Sequence, residues 1–228
     1  MLDLIVLESL QLVPVIELEP GRFSTQIRQS PSSMYREAPE EWYQYWSDCL
    51  ADSGIEGLEP LEKGSWLVRT INFDIVNLRK LVESIVLEWG GIDTASDLEC
   101  KPFLSGGIAL LSSACEVLIQ PGCCSDLGCI RNWRDASAYR GDEWQMVWSG
   151  HPWLSVHYRA PWLVLSGPHE SDAPVGRWAV IPEELDHACT VAQGELQRFA
   201  SELALLLPTL GYRDDPAIMG RKLAGLLE

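Results

Sequence analysis

Apolar residues recur along this chain in short runs divided by polar and turn residues, and the spacing inside each run predicts an element. Residues 2–7 and 14–18 read as short strands. Pro14 places the second at a sheet edge or a strand start, because proline has no N–H for a central ladder. Residues 20–40, rich in Ser, Pro, Gln and Arg, read as a surface loop. Ala38-Pro39-Glu40-Glu41 then opens a helix, since proline suits the first turn and carboxylates there meet the positive end of the helix dipole. Trp42, Tyr45, Trp46, Cys49 and Leu50 share one face of it.

Residues 66–73 alternate as a strand and lead into Asp74, a good N-cap. The helix after it carries Ile75, Leu78, Val82, Ile85 and Trp89 on one stripe and stops at Gly90-Gly91. Residues 105–121 read as two strands joined near Ser113–Glu116, and Ser125 or Asp126 caps a helix to about Arg140 with Leu127, Ile130 and Trp133 or Arg134 facing inward. Three closely spaced strand-like pieces, 143–148, 154–159 and 162–166, predict an antiparallel meander. A last strand begins at Trp178. Pro182-Glu183-Glu184 starts the longest helix, striped by Leu185, Ala188, Ala192, Leu196, Phe199, Leu203 and Leu206 and ended by Pro208, and a short helix follows over 216–227. The order of elements predicts an α+β fold, an antiparallel or mixed sheet with helices packed on one face, in one domain over 1–228 with a loop-rich acidic flank at about 20–64.

Composition narrows the function classes. The 228 residues hold 17 basic and 33 acidic side chains, a net charge of −16, and residues 1–62 alone carry 12 acids against 3 bases. Such a field repels phosphate backbones and anionic lipids, which disfavours nucleic acid and membrane, and it speeds encounter with a basic protein. A basic protein partner is one reading, and acidity that simply keeps a small protein soluble is the other. The first residues lack a basic n-region, and no window reaches the roughly 18 apolar residues of a spanning helix. Seven cysteines (49, 100, 115, 123, 124, 129 and 189) make an odd, irregular set that suits reduced thiols in a cytoplasm.

No dinucleotide fingerprint, Walker loop, H-E-x-x-H, nucleophile elbow or C-x-x-C pair is present, so no cofactor is expected. Cys123 and Cys124 are the candidate reactive thiols, because a helix starting at Ser125 or Asp126 would set them near its positive end, with His151 as a candidate base. The bland alternative is a tight turn whose cysteines fill an apolar gap. Zinc could draw on Cys115, Cys123, Cys124 or Cys129 with His151 or His157, but no paired spacing announces a site and no metal is expected. His151 and His157 would stand about 20 Å apart on an extended strand, too far to share an ion. Trp148 and Trp162 read as core, Trp153 is open, and His169-Glu170-Ser171-Asp172 receives no catalytic role. Trp42, Trp46, Glu41 and Asp48 form the candidate partner-binding face, aromatic rings beside carboxylates on one helix, and the bland alternative is an amphipathic helix whose aromatics close the core.

Pro121-Gly122-Cys123-Cys124-Ser125-Asp126-Leu127 with Trp133 downstream, followed by Trp148-Ser149-Gly150-His151-Pro152-Trp153, resembles stretches of uncharacterised bacterial proteins of the polymorphic-toxin immunity type. The resemblance implies a cytoplasmic, non-enzymatic protein that neutralises a cognate toxin by covering its active surface, and it assigns no residue a role. Three readings leave the sequence: an acidic immunity-type binding protein, a small thiol-dependent enzyme using Cys123 or Cys124 with His151, and a housekeeping scaffold or regulatory module.

Overall fold

The computed structural model describes residues 4–88 and 104–227. The fold is α+β, with its strands in two sheets. The chain clusters into two compact units, one of residues 1–14 and 105–196, the other of 15–104 and 197–228.

The first unit contains a five-stranded mixed sheet. Strand β1 (Ile5–Leu7) lies parallel to β9 (Gly176–Val180), and the other pairings are antiparallel in the order β1-β9-β8-β7-β6. The meander expected over 143–166 is present as β6 (Gln145–Val147), β7 (Leu154–Arg159) and β8 (Trp162–Ser166), with Val156 opposite both Gln145 and Leu165. Leu163 to Ser166 and Trp178 to Val180 are buried without a break, the mark of strands covered on both faces. The same unit holds the hairpin of β4 (Gly106–Ser112) and β5 (Val117–Ile119), turned over Ser113–Glu116 as the pattern predicts, with the Ser112 amide donating to the Glu116 carbonyl at 2.9 Å. Helix α4 (Ile130–Ala138) follows a short 3-10 turn, Leu127–Cys129, and buries Leu127, Ile130 and Trp133.

In the second unit, β3 (Leu67–Arg69) pairs with the end of β2 (Leu10–Glu17). That pairing begins at Val15, so Pro14, well inside the strand rather than at its start, owes no ladder bond to β3. The strand foreseen over 66–73 is shorter because Thr70–Asn72 tighten into a 3-10 turn. The four-residue helix α1 (Pro20–Phe23) interrupts the flank. Helix α2 (Pro39–Asp52) begins at Pro39 as expected, and α3 (Ile75–Glu88) starts where the Asp74 carboxylate accepts the Asn77 amide at 2.7 Å. Leu78, Leu81, Val82 and Ile85 are buried, whereas Ile75, assigned to the stripe, is exposed in the first turn. Trp89, Gly90 and Gly91 lie outside the described residues.

Helix α5 (Pro182–Leu206) contributes to both units and buries every residue of its expected stripe. It ends in a 3-10 turn, Leu207–Leu210, that takes in Pro208, and α6 (Pro216–Leu223) is capped by the Asp215 carboxylate on the Ala217 and Ile218 amides. Among the described residues no helix is long and apolar enough to cross a membrane.

Candidate functional site

Among the described residues, chemistry gathers at a cluster in the first unit and at a groove in the second. In the first unit the turn after β5 and the turn after β6 join through a short antiparallel bridge. The Cys123 amide donates to the His151 carbonyl at 3.2 Å, the His151 amide donates to the Cys123 carbonyl at 2.9 Å, and the Gly122 amide donates to the Ser149 carbonyl at 2.7 Å. The stretches 121–127 and 148–153 are thus paired with each other. Glycine makes the approach close enough. A Cβ on Gly122 would stand 2.3 Å from the His151 carbonyl oxygen, and one on Gly150, at φ +94°, 2.4 Å from the Gly122 carbonyl oxygen. Neither position can take a side chain without opening the bridge.

This pairing brings Cys123, Cys124 and His151 together at the surface, with the two sulfurs and an imidazole nitrogen all within 4.8 Å of one another. Successive side chains on an extended strand point to opposite faces. Cys124 escapes that rule by a left-handed backbone, φ +62°, which is uncommon for a residue with a side chain and swings its thiol to the side of Cys123. The imidazole is framed by indoles: Trp148 meets His151 edge-on at 4.7 Å, Trp153 stands 5.5 Å from it, and the two indoles stack at 6.2 Å. Trp153 is pinned in turn by a two-way backbone bridge to His169, whose Nε2 lies 2.9 Å from Ser155 Oγ. Trp148, assigned to the core by the pattern, is instead half-buried, because it follows the last residue of β6 and turns toward this bridge.

Asp126 caps the helical segment that follows the two thiols, one of the two caps the sequence offers. The 3-10 turn starts at Leu127, and its Gly128 amide donates to the Asp126 carboxylate at 2.6 Å. The other zinc candidates are elsewhere. Cys129 is buried beside Ser125 Oγ at 3.1 Å, with burial pushing its thiol pKa up, Cys115 sits exposed in the β4–β5 turn, and His157 packs against Trp144 at 4.2 Å.

In the second unit, the loop over 27–31 and the outer face of α2 border a shallow, open groove of about 530 Å³, lined by Ile27, Arg28, Pro31, Glu41, Tyr45 and Asp48 among others. Arg28 ties the loop to the helix, donating from Nη2 to Asp52 Oδ1 at 2.6 Å and from Nε to Oδ2 at 3.1 Å, with Asp48 3.8 Å away. This guanidinium, with a hydrogen bond from Ser24, holds the Asp52 carboxyl below the usual carboxylate range. Ile27 is wholly exposed.

Of the four residues assigned to a partner face, Glu41 and Asp48 line this groove and the tryptophans do not. Trp46 is the correction. Its ring is 1% exposed and its indole N–H donates to the Leu18 carbonyl at 2.9 Å, so it belongs to the core with Cys49 and Leu50. Trp42 is half-buried, its N–H on the Ser33 carbonyl at 2.8 Å and its ring against Tyr45 and Trp66. The groove itself was not readable from the sequence, since its far wall comes from a loop without periodicity. Compared with models of known families, with curated proteins and with solved structures, the chain matches none.

Proposed function

We propose that this chain is a cytoplasmic protein-binding protein of the immunity type that captures a basic protein partner in the groove beside α2. The observation that carries the reading is the convergence of Glu41 and Asp48 on the same groove as the solvent-exposed Ile27. An apolar side chain in water beside carboxylates suits a partner segment that presents an apolar residue flanked by lysine or arginine. The net charge of −16 draws such a partner in from a distance. The immunity-type resemblance supports the same class.

The test is capture by the tagged full chain at low and high salt, repeated with the double variant Glu41→Lys/Asp48→Lys, whose side chains lie at the surface. The expected outcome is one basic protein in equimolar amount, released by salt and not retained by the variant. Equal retention by the variant would sink the groove reading.

A second reading, a thiol-dependent enzyme using Cys123 or Cys124 with His151 as base, is favoured by the convergence of those three side chains. It requires a thiol alkylated much faster at neutral pH than the exposed Cys115, and equal rates would remove it.

A further inference from the structure

We propose that Cys123, Cys124 and His151 are a zinc site, binding one Zn(II) through two thiolates and an imidazole and leaving the fourth position to solvent. The proposal stands on the cluster in the first unit and not on the groove.

The donor set selects the ion. Two soft sulfurs and one nitrogen suit a d10 cation without a geometric demand of its own, and oxygen-seeking calcium or magnesium finds nothing here. The spacing suits it as well. Zinc sits about 2.3 Å from sulfur and about 2.0 Å from nitrogen, which places neighbouring ligand atoms roughly 3.5–3.8 Å apart in a tetrahedron. The three atoms, already within 4.8 Å of one another and all on exposed side chains, reach that spacing by small side-chain rotations.

The backbone supports the same use. The left-handed backbone at Cys124, φ +62°, places adjacent thiols side by side. The bridge from Cys123 to His151 fixes the two loops against each other, and the indoles of Trp148 and Trp153 limit rotation of the imidazole. Three ligands that are held before the ion arrives lose little freedom in binding it. Charge balances, because the dication displaces the two thiol protons and the resulting bis-thiolate site is neutral. All three side chains are exposed, so the ion keeps a solvent-facing position for water or an external ligand.

Cobalt(II), added to the reduced full-length chain, reports the site directly. One equivalent is expected to raise a thiolate-to-cobalt charge-transfer absorption that equimolar zinc abolishes. Cys123→Ser, Cys124→Ser and His151→Ala should each weaken zinc binding by at least about 10-fold, since even outer-shell partners of a metal ligand cost that much, while Cys115→Ser leaves it unchanged. The wild-type chain supplies a readout that no variant's folding can confuse: zinc should protect Cys123 and Cys124 from alkylation and leave Cys115 open. Absence of the charge-transfer band, or alkylation of Cys123 and Cys124 unaffected by zinc, would overturn the proposal. Fast alkylation of one of these thiols that zinc does not slow would point to the nucleophile reading instead.

Discussion

Trp46 shows how one side chain can decide between a surface and a core. Its indole is enclosed, and its N–H is satisfied by the Leu18 carbonyl, so truncation removes both packing and the partner of a buried acceptor. Trp46→Ala is expected to cost about 3–5 kcal/mol in urea unfolding. A loss under about 1 kcal/mol would return the residue to the surface. Asp52 makes a different kind of contribution. Its carboxyl pKa is lowered by the Arg28 hydrogen bonds, so the ionised form is favoured by folding. The stability this confers is complete above the ordinary carboxylate pKa and is lost as pH falls through the lower, folded value. Asp52→Asn should therefore be less stable than the parent at neutral pH and converge with it in acid, which parallel melting curves from pH 7 to pH 2 would check. Glu17, at the end of β2, has the opposite sign: burial and the neighbouring Glu19 raise its pKa, so its cost is present at neutral pH and is relieved as pH falls.

At the scale of elements, α5 and α6 differ in what a glycine does for them. Gly194 lies inside α5 with nothing within 4 Å of where a Cβ would stand, so it contributes backbone freedom to the unfolded chain and no packing to the folded one. Gly194→Ala should stabilise the protein by about 0.5–1 kcal/mol, seen as a raised urea midpoint with unchanged slope. A destabilisation would show that α5 needs flexibility there. Gly220 in α6 is the reverse, because its Cβ would stand 2.4 Å from the Ala200 carbonyl oxygen, and only glycine allows that approach of helix to helix. The bridge between the turns at Cys123 and His151 obeys the same rule through Gly122 and Gly150.

Across the whole molecule, the excess of 33 acids over 17 bases sets a repulsion that folding must overcome. Screening weakens it, since the Debye length falls from about 30 Å at 0.01 M to about 8 Å at 0.15 M. The melting temperature is therefore expected to rise with sodium chloride over that range, and a flat or falling curve would show the acids to be locally paired, as Asp52 is by Arg28. Much of this protein was legible before folding. The helix beginning at Pro39, the turn over Ser113–Glu116, the meander from residue 143 to 166, the stripe of α5 and the net charge are local or additive properties, written in neighbouring residues and their periods. Cys123, Cys124 and His151 were recognisable as chemistry, but their meeting was not, because it depends on backbone pairing between turns 28 residues apart and on a left-handed Cys124. Nor could the helical pattern tell which tryptophan of α2 points inward. An amphipathic stripe states that a face is covered, and only the tertiary structure decides which rings are enclosed by the chain, as Trp46 is, and which carboxylates, Glu41 and Asp48, are left to line a groove.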